Sequence, residues 1–141
     1  MIVDFHTHLF PPEIRENRET FFAGEPAFKL LYASPKAKMI GAREIAQAMD
    51  DQGVDVSVVF GFPWKNPNTA KKHNDYIAEA VARFPNRLKG FCCLDPCPTA
   101  AVSEVERCLD NGLCGVGELA FYRSGIECVI VDSMTPVMDL C

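Results

Sequence analysis

Ile2-Val3-Asp4-Phe5-His6-Thr7-His8 carries both the start of the fold and the start of the chemistry. An apolar opening passes into alternating polar positions, and a strand is predicted over residues 2–6. Residues two apart on a strand share a face, so His6 and His8 project side by side with Asp4 below them. Two converging imidazoles grip a borderline divalent metal such as zinc. The same pair also reads as the polar end of a buried strand. Asp4 either orients one imidazole as an acceptor behind the metal or hydrogen-bonds the backbone.

Working outward, residues 9–40 are long and irregular, punctuated by Pro11, Pro12, Pro26 and Pro35. Phe21, Phe22, Phe28, Leu30, Leu31 and Tyr32 give this insertion apolar anchors, which predicts an ordered flap packed onto the domain. A helix is predicted over 41–52, with Ile45, Ala48 and Met49 on one face and Gly53 as the stop. Val54-Asp55-Val56-Ser57-Val58-Val59-Phe60 is a β-branched run of buried-strand type and leads into Phe62-Pro63-Trp64. The apolar spacing of residues 69–84 predicts the longest helix, and His73 is taken as a helix-face or surface residue on it. A third strand is predicted over 88–94, ending at Asp95-Pro96. A helix over 100–111 follows, with Thr99 as N-cap, and a fourth strand over 114–119 ends at Glu118. Cys128-Val129-Ile130-Val131 has strand propensity over 126–132, and Met134–Cys141 reads as a helix with Pro136 in its first turn. Strands alternate with helices, which predicts an α/β fold of parallel strands, about four βα units in all. Each strand runs into a loop with distinctive residues, as in barrels and doubly wound sheets alike.

Composition excludes several function classes. The net charge is −5 with no basic stripe, which speaks against nucleic acid as a partner. No apolar run reaches a membrane-spanning length, and no secretory leader pattern opens the chain, so a cytoplasmic location is expected. The cysteine count is odd at 7 and contains no C-x-x-C pair, which predicts reduced, mostly buried thiols. Trp64, Phe62 and Phe10 are read as packing residues with a rim position at the mouth. Arg87 is predicted to pair with an acidic neighbour, and Asp95 to cap the turn before Pro96. Glu118 closes an apolar strand, where it either binds metal or forms a salt bridge with Arg123 or a lysine.

Taken together these segments resemble the N-terminal half of the metal-dependent amidohydrolases, the amidohydrolase family 2 branch with its decarboxylase-like members. Ile2 to Pro11 looks like the family's first strand with its paired histidine ligands, and Gly53 to Val59 like its second. Asn74-Asp75-Tyr76-Ile77-Ala78 through Phe84-Pro85-Asn86-Arg87 to Asp95-Pro96 is similar to its helix and third strand. Gly115-Val116-Gly117-Glu118 looks like its fourth, as in the TatD-type deoxyribonuclease branch, where such a glutamate binds metal. The resemblance implies a partial TIM (β/α)8 barrel over residues 1–141, with 9–40 as an insertion after strand 1. It implies His6, His8 and Glu118 as ligands of a divalent metal, zinc foremost and manganese next. It implies hydrolysis of a C–N or related bond in a small-molecule substrate, with metal-dependent decarboxylation as the alternative. A complete barrel takes about 250 residues. The family's further histidines and its proton-handling aspartate belong to later strands, so these 141 residues are read as an incomplete site. A half-barrel leaves sheet edges open, which predicts a homo-oligomer through those edges. A non-catalytic oligomerising half-barrel or a small binding domain is the reading from a different class.

Overall fold

The computed structural model describes residues 1–95, 101–120 and 128–141, and only the backbone of 128–130 and 133. Strand β1 (Val3–His8), helices α1 (Pro12–Glu16) and α2 (Pro26–Tyr32), α3 (Ala42–Gln52), β2 (Val56–Phe60), α4 (Pro67–Arg83), β3 (Leu88–Gly90), α5 (Ala101–Asp110) and α6 (Cys128–Met138) follow in order. A 3-10 turn at Arg18–Phe21 links α1 to α2. The three strands form one parallel sheet in the order β1-β2-β3. This is the expected α/β architecture of a partial barrel: parallel strands with helical crossovers.

The fourth segment is shorter than predicted. Its parallel pairing with Cys92 is a single bridge at Val116. Three backbone bonds dock it: Cys114 N–H to Gly90 O at 2.9 Å, Cys92 N–H to Gly115 O at 2.8 Å and Gly117 N–H to Cys92 O at 2.8 Å. Gly115 allows this close approach, since a Cβ there would meet the Phe91 ring at 3.0 Å.

Burial separates the two faces of β2. Val59 turns to the helices and joins Leu9, Met49, Ile77, Leu88, Val105, Leu113 and Val137 in the main core. Val58 and Phe60 turn to the other face and pack with Cys93. The alternation has period two, so one strand serves both layers. Burying each such side chain contributes about 1.5–3 kcal/mol, which makes β2 the spine of the domain.

α3 starts with Gly41 as N-cap and stops where Gly53 takes φ +69°, a left-handed value that favours glycine. Its buried residues are Ala42, Ile45 and Met49. Asn66 caps α4 by accepting from the backbone of Asn68 and Thr69, with Pro67 at the first helical position. Arg87 pairs with Asp50 at 2.7 Å, as predicted.

Residues 9–40 are ordered and more helical than their proline content suggested. Phe28 is fully buried among Phe10, Ile14, Phe62, Trp64 and Ala70, with Phe21, Phe22 and Tyr32 packed around them. Leu30 and Leu31, read as anchors, are instead 70% and 43% exposed. Leu30 lies across α2 from Phe28, whereas Leu31, three residues on, flanks Phe28 at the exposed edge of the same side. Glu25, only 6% exposed, accepts from the backbone N–H groups of Lys65 and Asn66 at 3.1 and 2.9 Å. The flap is thereby clasped to the β2–α4 loop.

The C-terminal reading needs correction. Residues 128–131 are helical, not extended, and Pro136 lies inside α6 near its end rather than in its first turn. β-Branched residues lose only tenths of a kcal/mol in a helix, and a strand needs a ladder partner. The buried Val137 gives the helix its tie to the core. Thr99, Pro96, Cys97, Arg123 and residues 126–127 lie outside the described residues.

Candidate metal centre

β1 runs two residues further than predicted and is not regular. Its pairing with β2 steps from Asp4↔Ser57 to Thr7↔Val59, so three residues on β1 oppose two on β2. This bulge re-aims the strand end. Asp4 Oδ1 accepts from the backbone N–H of His6 at 3.1 Å, and its Oδ2 accepts from the Thr7 hydroxyl at 2.8 Å. Of its two readings, the backbone one matches these contacts: Asp4 staples the bulge.

His6, within the bulge, and His8, beyond it, lie side by side with ring centroids 5.1 Å apart. Phe60 meets both edge-on at 4.9 and 4.8 Å. His8 Nδ1 lies 2.7 Å from the carbonyl oxygen of Gly61. A carbonyl only accepts, so Nδ1 carries the proton and Nε2 keeps its lone pair. That lone pair sits 3.8 Å from Glu118 Oε2, and His6 Nε2 lies 3.1 Å from the same oxygen. Burial pushes the pKa of His8 down, against the Gly61 hydrogen bond and the Glu118 charge, which push it up; the nearby His6 also lowers it.

The ligand atoms of His6, His8 and Glu118 all lie within 4.8 Å of one another. Tetrahedral ligands about 2.1 Å from a zinc ion stand about 3.4 Å apart. The observed 3.1 and 3.8 Å separations bracket that spacing. The donor set therefore fits a divalent cation: a fixed imidazole tautomer, a second imidazole and a carboxylate. His6 is the open side of the group, with its side chain 62% exposed against 20% and 21% for His8 and Glu118.

The flap reaches this site. Tyr32 packs 5.1 Å from Phe10, whose ring stacks at 6.2 Å on His8. Burial, then the charge of Glu118, pushes the Tyr32 phenol up to about 12, so it stays a neutral donor. Phe10, Phe62 and Trp64 are all buried, which makes them packing residues as predicted.

Of the two readings of His73, helix-face or surface residue, the helix-face one holds. His73 is fully buried, not a surface residue. Trp64 Nε1–H donates to its Nδ1 at 2.8 Å, and its Nε2 lies 2.6 Å from Leu9 O. The indole only donates, so His73 is held with its proton on Nε2, donating to Leu9. Its place on the Ile77–Ala80 stripe was the available signal. The neighbouring Asn74, quoted only within the stretch that carries the resemblance and given no role there, is 1% exposed.

A second group, Cys92, Glu104 and Cys108, also brings ligand-type atoms within 4.8 Å. Here the carboxylate is already engaged: Arg107 Nε and Nη2 donate to Glu104 at 2.8 Å each, and Asn74 Nδ2 at 2.9 Å. The hydrogen bond with Cys108, together with burial, pushes the Cys92 thiol far up. This is a hydrogen-bonded network of thiols around an ion pair.

A family profile described as Amidohydrolase matches residues 3–123. Among solved structures, the chain is similar to 5-carboxyvanillate decarboxylase from Novosphingobium aromaticivorans, a structure complexed with manganese. The identity is 18%, the match covers 99% of this chain and 48% of that one, and the TM-score is 0.71. A Staphylococcus aureus protein assigned as an amidohydrolase is 23% identical over 94% of this chain and 43% of its own, at a TM-score of 0.58. The 4-oxalomesaconate hydratase of Rhodopseudomonas palustris is 20% identical over 82% of this chain and 41% of its own, at 0.54. The chain thus spans a little under half the length of these structures. No curated protein matches it. No helix among the described residues is long and apolar enough to cross a membrane. With the profile matched from the first strand through Glu118, the chain belongs to the amidohydrolase family.

Proposed function

We propose that His6, His8 and Glu118 hold a divalent metal and that the chain forms the metal-binding part of a hydrolase-type site. The observation that carries this reading is the convergence of both His Nε2 atoms on one Glu118 oxygen, at 3.1 and 3.8 Å. A divalent cation held there supplies Lewis-acid polarisation of a substrate oxygen and activation of water. The chain's own residues do the rest. Gly61 O keeps the proton of His8 on Nδ1, so that Nε2 remains a ligand. The flap's buried aromatic cluster backs one side of the site, where Phe10 stacks on His8. Tyr32 offers a neutral hydroxyl toward a small-molecule substrate.

Zinc is the first choice for an imidazole–carboxylate set and manganese the second. Hydrolysis of a C–N or related bond is the favoured chemistry. Loss of carbon dioxide is the second reading, supported by the similarity to the 5-carboxyvanillate decarboxylase. The buried free thiols Cys92, Cys93 and Cys108 support a reducing, cytoplasmic setting. We also propose that the chain self-associates through β1, an edge of the sheet whose Ile2 and Phe5 are 57% and 71% exposed.

Titration of the purified chain with zinc and with manganese tests the site. Near-stoichiometric binding that disappears in a His6→Ala/His8→Ala variant supports it. Equal binding by the variant and the parent removes it.

A further inference from the structure

Glu118 supplies the carboxylate on which both imidazoles converge, and it ends a segment whose sheet pairing is one isolated bridge with three backbone hydrogen bonds. The thiol of Cys93 donates to the backbone carbonyl of Glu118 at 3.2 Å. Cys93 is 1% exposed, and because a backbone carbonyl oxygen only accepts, Sγ is the donor of this bond.

Cys93 is itself held from behind. Its backbone N–H donates to Asn74 Oδ1 at 3.0 Å. Asn74 comes from the middle of α4, and its Nδ2 donates to Glu104 Oε1 on α5 at 2.9 Å. Arg107 clamps Glu104 and reaches Asp75 at 2.6 Å. The orientation of the Asn74 amide follows from these partners, since a backbone N–H only donates and a carboxylate only accepts. Meanwhile the adjacent His73 donates to Leu9 O, immediately after His8. Consecutive residues of one helix therefore brace the two halves of the site: His73 the strand that bears the imidazoles, Asn74 the segment that bears the carboxylate.

We propose that Asn74 and Cys93 are positioning residues that set the Glu118 carboxylate against His6 and His8. The inference rests on the metal-site reading only for its consequence. The placement of Glu118 itself can be read without metal. A buried amide with all its partners matched is costly to leave half-satisfied, which suits a fixed brace. Partners behind metal ligands typically change metal affinity about 10–100-fold when removed.

The test uses the full chain with Asn74→Ala, Cys93→Ala and Cys93→Ser, and Glu118→Ala as the reference for a lost carboxylate. The metal-free readout is the ring nitrogen NMR shifts of His6 and His8, which report the Glu118 contact. The expected result is that Asn74→Ala and Cys93→Ala move these shifts toward those of Glu118→Ala. Cys93→Ser, which keeps a donor, should stay near the parent. Parent-like shifts in folded Cys93→Ala overturn the proposal, as does a Cys93→Ser variant that behaves like Cys93→Ala. Zinc titration of the same proteins then expects affinity at least about 10-fold weaker in Cys93→Ala and rescue by serine. A parent that binds neither zinc nor manganese sinks the metal reading alone, because the ring shifts still decide what aims Glu118.

Discussion

His8 Nδ1 lies 2.7 Å from Gly61 O, and Gly61 in turn faces the ring of His73 so closely that a Cβ would stand 2.9 Å from its Cγ. The residue that fixes the tautomer of one histidine is thus kept small by the other. His73 has no room to retreat, being fully buried against Trp64 and Phe10. Gly61→Ala should therefore cost about 1–3 kcal/mol through overpacking. It should also weaken metal binding by displacing the carbonyl from His8. Urea unfolding with an unchanged m-value checks the first effect, and zinc titration the second.

His73 also makes stability depend on pH. Burial, the largest cause, holds its pKa down to about 4 from 6.5, with the nearby His8 adding to the effect and the Leu9 hydrogen bond opposing it. Above pH 6.5 both folded and unfolded chains carry a neutral imidazole. Below it the unfolded chain takes a proton that the folded chain refuses until about pH 4. Unfolding then binds protons, so stability falls as pH drops through this window, by on the order of 3 kcal/mol in full. Urea midpoints at pH 7 and about pH 4.5 should differ in this sense, and His73→Gln should flatten the slope. Trp64→Phe leaves Nδ1 of His73 without its donor and should cost about 1–3 kcal/mol at neutral pH.

The bulge in β1 depends on Asp4, which satisfies both the His6 N–H and the Thr7 hydroxyl. Asp4→Ala should lower stability by about 1 kcal/mol. Thr7→Val should be non-additive with it, with a coupling of about 0.5 kcal/mol or more in a double-mutant cycle. Metal stoichiometry should survive in Asp4→Ala, since its carboxylate serves the strand. A loss of stoichiometry as complete as in His6→Ala/His8→Ala would make Asp4 a ligand instead.

Glu25 clasps the flap through two backbone amides. Glu25→Ala removes the acceptor of both bonds and should cost about 1 kcal/mol for each. The flap should loosen before the sheet does. Limited trypsin digestion should cleave faster after Lys29 in the variant, with far-UV circular dichroism little changed.

Much of the fold is legible in the residues because periodicity and punctuation are local signals. Ile45 and Met49 before Gly53 mark α3, and the β-branched run through Phe60 marks the central strand. The pairing of His6 with His8 is legible from their two-residue spacing, and it holds although His6 lies within the bulge. Residues 128–131 misled because β-propensity is a weak preference that packing overrides. The bulge itself is a matter of register against β2, which no single segment encodes.

His6-Thr7-His8, the βα rhythm and the family resemblance are properties of the sequence by itself, since each rests on spacing along the chain. The tertiary structure alone decided which imidazole nitrogen faces Glu118, that His73 is buried, and that Asn74 and Cys93 stand behind the carboxylate. Hydrogen bonds between residues 19 to 64 positions apart set those outcomes. Such bonds exist only once the strands and helices have packed, because burial leaves each polar group a single set of partners.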